Sequence, residues 1–174
     1  MPWTDTRRLR RFWIELAPRT FARCATPDDL ELGLLGERLA ERELRARGWT
    51  VLGRRQRSAA VEIDLVAREP AKAPRENGRL VLVEVKTKRW EELPRRRGAS
   101  STEHAELEHA ANRRWRPGLR FDRDRIARLE TTARALTRRG EARPRVDLIE
   151  VWIGPRGRRI AFEHHAGLDR PLET

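Results

Sequence analysis

Residues 80–87, LVLVEVKT, constrain this chain more than any other stretch. Successive side chains of a strand point to opposite faces, and here four consecutive positions are apolar. A strand apolar on both faces is covered on both, as in the middle of a layered α/β sheet. The run turns charged at Glu84 and Lys86, which share the face of Leu80 and Leu82. A buried face that becomes charged halfway along a strand predicts a cleft at that end of the sheet.

The flanking sequence supplies the layers. Thr26, Pro27 and Asp28 read as an N-cap, a first-turn proline and an acid near the positive helix end. The helix they open runs to about Arg47, with Gly48 as its cap. Residues 49–53 read as a short strand. Residues 60–67 alternate, with Val61, Ile63 and Leu65 on one face and Glu62, Asp64 and Val66 on the other. Two prolines and an Asn-Gly mark 68–78 as a loop. Residues 124–139 predict an amphipathic helix with Ile126, Leu129, Ala133 and Leu136 inward. Strands over 145–153 and 159–163 pair through Gly154-Pro155-Arg156-Gly157. The order is helix, three strands, helix, two strands, an α/β or α+β plan.

Three further segments frame this core, expected over 26–163. Residues 1–25 form a basic amphipathic extension, with Leu9, Phe12, Trp13 and Leu16 at helical spacing in a helix docked on the core. Residues 88–121 are an arginine-rich insertion, in which Ser100 and Glu103 fit a capping box for a short helix. Residues 164–174 read as a loose tail, with His164 and His165 as an exposed pair.

The 174 residues carry a formal charge of +12 and a pI near 11.4, which implies a polyanionic partner, nucleic acid foremost. Among the 39 basic residues only Lys72, Lys86 and Lys88 are lysine, so a lysine at a cleft suggests chemistry that arginine does not supply. Cys24 is the only cysteine, which excludes an internal disulfide and a cysteine zinc cluster and suits a reducing, cytoplasmic setting. No apolar run approaches the roughly 20 residues of a membrane span, and no secretory signal is visible.

Asp64 and Glu84 are expected near the ends of neighbouring strands, with Lys86 beside Glu84. Two converging carboxylates make a hard-oxygen site suited to Mg²⁺ or Mn²⁺. A lysine beside them can hold an attacking water or offset charge on a phosphate, which suits phosphodiester hydrolysis. The bland reading is an ordinary cross-strand ion pair on a solvated face. Glu37 lies within about 60° of Leu30, Leu34 and Leu44 on a helical wheel. It is either a buried carboxylate needing a cation or metal-bound water, or a border residue paired with Arg38 or Arg42.

These residues stand within a longer pattern. LGERLAERELRARGWTVLGRRQRS, VEIDLVA, LVLVEVKTK and RVDLIEV follow in order over about residues 30–152. The pattern resembles the YraN-type uncharacterised family, also called uncharacterised protein family 0102, and through it the PD-(D/E)XK nucleases and archaeal Holliday junction resolvases. The resemblance implies a restriction-endonuclease-like mixed β-sheet flanked by helices, with Glu37, Asp64, Glu84 and Lys86 at the active site. Asp64 and Glu84 would bind Mg²⁺ or Mn²⁺, Lys86 would position or activate water, and Glu37 would bind a second metal or its water. Two positions depart from the pattern: Val61 replaces a usual glycine, and Arg125 a usual lysine.

Phosphate contacts are expected from Arg95, Arg96, Arg97, Arg113, Arg114 and Arg125. Trp90 and Trp115, set among arginines, either stack on unpaired bases or anchor their loops. His104 and Glu108 stand at metal-pair spacing with no third ligand in view. Asp147 reads as a structural partner of an arginine. The function expected is a metal-dependent endonuclease acting on branched or structured DNA. A non-catalytic nucleic-acid-binding module on the same scaffold is the alternative, and an RNA- or ribosome-associated factor a third reading. DNA is favoured over RNA, and a homodimer would suit a two-fold junction, with Trp152 as a candidate interface residue.

Overall fold

Residues 80–89 do form the middle of the sheet. The computed structural model of the chain describes residues 3–58, 61–71, 77–90, 123–137 and 142–168. Helices α1 (Trp3–Leu16), α2 (Pro18–Cys24) and α3 (Asp29–Ala46) come first, then strands β1 (Thr50–Arg57), β2 (Glu62–Arg68) and β3 (Leu80–Arg89). Helix α4 (Arg123–Ala135) and strands β4 (Arg145–Ile153) and β5 (Ile160–His165) complete the order. The sheet runs β1-β2-β3-β4-β5, parallel only between β3 and β4 and antiparallel elsewhere. This is an α+β fold with an open, mixed sheet.

Burial explains why β3 is central. Val81, Val83 and Val85 face a cluster made with Leu35 and Leu39 of α3, Phe21 of α2 and Ile149 and Val151 of β4. Leu82 faces a second cluster with Leu129 and Ala133 of α4 and Val146 of β4. Each face of the sheet thus has its own helical layer. At the edge, β1 is mostly exposed and carries Arg54, Arg55 and Arg57, charges that discourage pairing with another chain.

Helix α3 begins two residues later than expected. Asp28 is the N-cap, accepting from the Glu31 amide at 2.8 Å while Glu31 reaches back to the Asp28 amide at 3.0 Å. This reciprocal pair satisfies two helix-end donors, so the cap passes from Thr26 to Asp28. Gly48, with φ 82, follows the helix in the left-handed conformation that glycine adopts without strain. Within α3, Gly36 lets the helix approach β3. A Cβ at Gly36 would lie 1.7 Å from Thr87 Oγ1 and 2.8 Å from both Thr87 Cβ and Cγ2. Gly36→Ala is therefore expected to destabilise the fold by about 1–3 kcal/mol through overpacking, read as a lower melting temperature. An unchanged melting temperature would contradict this close approach.

The amino-terminal helices pack into the main core through Ile14, Phe21 and Ala22. The expected apolar stripe of α1 is not the docking face: Leu9, Phe12 and Leu16 are each about 60% exposed. The inward side of α1 instead carries Ile14, buried in the core, flanked by charged contacts. Arg10 forks onto Glu31 at 2.6 and 2.8 Å, and Glu15 accepts from Arg38 at 2.9 Å and from Arg54 at 2.7 Å.

Other expectations shift with tertiary contacts. In α4, Leu129 and Ala133 are buried but Leu136 is exposed, beyond the last turn of the helix. Trp152 is 5% exposed and so not a surface aromatic. Trp90 is likewise buried, anchoring the end of β3 beneath the Arg159 guanidinium. His164 and His165 belong to β5 and bind buried acids of β4: His164 meets Asp147 at 2.8 Å and His165 meets Glu150 at 3.0 Å. Asp147 is the structural acid expected, forked by Arg145 at 2.7 and 2.9 Å. The first tail residues are tied down, since Gly167 donates to Asp147 and Leu168 to the Val146 carbonyl.

Candidate active site

The site arises where β2 and β3 part. Their ladder runs from Arg68↔Leu80 to Leu65↔Val83, and the same register would next set Asp64 opposite Glu84. There the side chain of Asp64 takes over from the backbone, its Oδ2 accepting the Val85 amide at 2.8 Å. A buried amide is satisfied and two carboxylates are left side by side.

On the other flank of β2, Arg55 lies between the pairs Arg54↔Leu65 and Gln56↔Ile63 and so faces Asp64. Its φ is 44, a left-handed value rare for a residue with a side chain and costing roughly 1–3 kcal/mol. From that position it reaches α3 and forks onto Glu37 at 2.9 and 2.8 Å. Near this point the packing of β2 changes over. Val61 and Ile63 join the α4-side cluster, while Leu65 and Ala67 join the α3-side cluster. The expected single face of Val61, Ile63 and Leu65 is therefore split between the two clusters.

Glu84 is the most enclosed acid here, with its side chain 1% exposed. Lys86 Nζ donates to its Oε1 at 2.7 Å. Arg125 of α4 forks onto both its oxygens at 2.6 Å, donates to the Glu62 carbonyl at 3.2 Å and approaches Asp64 Oδ1 at 3.9 Å. Glu37, Asp64, Glu84, Lys86 and Arg125 line one open cleft of about 460 Å³. The structure thus gathers all four expected site residues and Arg125 in one place. Arg95, Arg96, Arg97, Arg113, Arg114, Trp115, His104 and Glu108 lie outside the described residues. Glu37 is buried on α3, the first of its two expected placements, whereas Leu30 of the same expected stripe is 77% exposed. Neither Arg38 nor Arg42 partners Glu37: Arg38 binds Glu15 and Glu41, and Arg42 binds the Leu16 carbonyl.

Burial, and next the neighbouring charge of Glu84, push the Asp64 carboxyl up to about 7. The Val85 amide and Arg125 oppose that rise without cancelling it. Lys86 and Arg125, the two cations that contact the pair, thus do not offset the cost of burying the Asp64 charge beside Glu84. Such a hard-oxygen pair fits a divalent cation, and one bound there would displace the Asp64 proton. For Glu84 to act as a ligand, the Arg125 fork has to release an oxygen. Among the described residues, the one group of three ligand-type side chains with atoms within 4.8 Å of one another is Glu150, Glu163 and His165. Glu37, Asp64 and Glu84 are not drawn together that closely, with Arg55 and Arg125 holding the two glutamates. Glu150 of that group pairs in register with Lys86 on β3, but none of the three lines the cleft.

Arg55 was the participant that pattern reading missed. It sits in an arginine-rich run, RRQR, with nothing to single it out, and only the β1–β2 register brings it opposite Asp64.

Residues 36–151 match Uncharacterised protein family UPF0102. The chain belongs to this family. All five cleft residues named above fall inside the UPF0102 match, whereas α1 and α2 fall outside it. A UPF0102 protein of Roseiflexus castenholzii is 50% identical over 58 residues, which cover 33% of this chain and 41% of that relative. The alignment thus spans less than half of the relative's length. Among the described residues, no helix is long and apolar enough to cross a membrane.

Proposed function

We propose that this UPF0102 protein is a divalent-cation-dependent nuclease that hydrolyses phosphodiester bonds in branched or otherwise structured DNA, on a restriction-endonuclease-like core of the PD-(D/E)XK type. The observation that carries this reading is the meeting of Asp64 and Glu84 where β2 and β3 part, with Lys86 on Glu84 in an open cleft. Asp64 and Glu84 would hold Mg²⁺ or Mn²⁺, with Glu37 placed for a second ion or its water. When bound, such an ion lowers the pKa of a water nucleophile and offsets charge on the phosphorane.

The chain's own residues supply the rest. Asp64 gives up its proton on entering the charged state, so cation affinity rises with pH through about 7. Lys86 is one-third exposed, and its ammonium is placed to hold the attacking water or a phosphate oxygen. Arg125, on releasing Glu84, offers a forked donor to a neighbouring phosphate oxygen. Arg55 keeps the Glu37 carboxylate aimed into the cleft. The charge of +12 favours a nucleic acid, and the site chemistry acts on its backbone. DNA is the favoured substrate over RNA, and a homodimer would present two such clefts to a two-fold junction. Cys24 as sole cysteine suits a cytoplasmic protein.

The test is cleavage of labelled duplex, single strand, flap and four-way junction in Mn²⁺, Mg²⁺ and EDTA. Wild type is expected to cut with either metal and not in EDTA, and Asp64→Asn to bind but lose at least about a thousandfold in rate, as when a group acting directly on the reacting atoms is removed. Equal cleavage by Asp64→Asn would refute the site.

One observation favours a second reading, a non-catalytic nucleic-acid-binding module. The bidentate grip of Arg125 on Glu84 fills both oxygens that an ion would need. That reading expects no metal-dependent stabilisation. The nuclease reading expects Mn²⁺ to raise the melting temperature of wild type and not of Glu84→Ala.

A further inference from the structure

A second concavity, of about 380 Å³, lies beside the acidic cleft. Its walls come from the end of α2, the turn into α3, the end of β3 and the β4–β5 turn, and include Arg23, Cys24, Pro27, Arg89, Trp90 and Arg156. Leu32 lines both cavities. Thr87 lines the acidic cleft and Arg89 the second pocket, two positions apart on β3, or roughly 6.6 Å of strand rise. Arg89 spans the divide, donating to the Pro27 carbonyl at 2.6 Å and approaching Asp29 at 3.6 Å.

The second pocket inverts the charge of the first. Three arginines line it and no carboxylate does. Arg23 and Arg156 are exposed and have no ion-pair partner among the described residues. Among the described residues no carboxylate pairs with either, so they leave a positive surface suited to anions.

The backbone singles out the same place. Among the described residues, only two other than glycine have positive φ: Arg55 at 44 and Arg156 at 51. Arg55 grips Glu37, a wall of the acidic cleft, and Arg156 itself lines the second pocket. A left-handed arginine costs roughly 1–3 kcal/mol and persists where the surrounding structure over-determines it. At Arg156 the constraint is visible, because the next residue, Gly157 (φ 56), presses on α2 with no room for a Cβ: one would lie 2.6 Å from Ala22 Cβ. Arg23, Cys24 and Arg156 all lie outside the segment 36–151 shared with the family.

We propose that this pocket binds an unpaired nucleotide of the same nucleic-acid strand that crosses the acidic cleft, with Arg23, Arg89 and Arg156 taking its phosphates. A pocket of this volume is of the size that holds a small-molecule-sized group, and a duplex does not enter it. The inference rests on the proposed function only for the identity of the polyanion. It assigns the structure preference to a feature outside the acid cluster: strands with an unpaired end or flap engage both cavities.

Cys24 provides a natural reporter, since it is the sole cysteine, is exposed and lines the pocket. The experiment measures N-ethylmaleimide alkylation of Cys24 in the full chain, in EDTA, with and without a short 5′-phosphorylated oligothymidylate. At an oligonucleotide concentration ten times its Kd, alkylation is expected to slow about tenfold, with a blunt duplex of equal length giving little protection. In Arg23→Glu/Arg156→Gly the protection is lost, and the salt slope of oligonucleotide binding falls by about 1.4, the share of two phosphate contacts on a single strand. Glycine at 156 suits the left-handed backbone, so this loss does not stem from misfolding. Unchanged alkylation at saturation, or equal protection by duplex, overturns the proposal. Protection without cleavage in any metal leaves the pocket standing and removes the nuclease. Cleavage without protection removes the pocket alone.

Discussion

Asp64→Asn is expected to make the metal-free protein more stable at pH 8 than wild type, and to do so progressively as pH rises. The folded carboxyl is raised from 3.8 to about 7 by burial and by Glu84. Below pH 3.8 it is neutral in both folded and unfolded chains, and its contribution to stability is fully present. Between 3.8 and about 7 the unfolded chain ionises more readily than the folded one, so stability falls. Above about 7 the full cost of ionising Asp64 in place is borne, on the order of 4 kcal/mol. Asparagine keeps an oxygen for the Val85 amide and carries no charge. The two proteins should therefore melt alike near pH 4, with the mutant roughly 10 °C higher at pH 8 for a domain of this size. A constant difference across that range would mean that Asp64 is not held against its charge. Mn²⁺ should reverse the order at pH 8 by stabilising wild type alone, which joins this stability argument to the proposed chemistry.

The second large effect is structural and lies on the other face of the sheet. Asp147 is fully buried on β4 and accepts from Arg145 twice, from His164 and from the Gly167 amide. Burial works to raise its carboxyl, but hydrogen bonds from His164, then Arg145 and Gly167, outweigh it and hold it below the usual range. Arg145 also binds Glu69 at 3.0 Å and lies over the Trp49 ring, so one acid organises β4, β5, the end of β2 and the strand-start tryptophan. Asp147→Ala leaves a part-buried guanidinium without its main partner and is expected to cost about 3–5 kcal/mol. Chemical denaturation of wild type and mutant measures it directly, and a loss below about 1 kcal/mol would place Asp147 among weak surface pairs. The same logic sets its pH dependence. A depressed carboxyl stabilises the fold above the unfolded value of 3.8, and that stabilisation fades as pH falls through the folded one.

Much of this molecule was legible from pattern. The core element order, the central strand and the placing of Glu84 on the buried face of Leu82 follow from periodicity, which records the face of each residue within its own element. Gly36 and Glu37 were visible as a helical pair, but the reason for the glycine, contact with Thr87, was not. What pattern reading misplaced has a common cause. The stripe of α1 was assigned inward because apolar residues usually are, yet α1 meets a charged flank of α3 through Arg10 and Glu15. His164 and His165 looked like tail residues because their acids lie 17 and 15 positions earlier in the chain.

The division is physical. Local sequence by itself determined which residues can be strand, helix or turn, which face each occupies, and that two acids and a lysine end up on neighbouring strands. Only tertiary structure decided that the β2–β3 ladder stops at Leu65↔Val83, that Arg55 turns left-handed to reach Glu37, and that Arg125 forks onto Glu84. It alone brought Arg23, Arg89 and Arg156 to one pocket. Those contacts join residues 18 to more than 100 positions apart, and no periodicity within a strand or helix records which distant partner a side chain will meet.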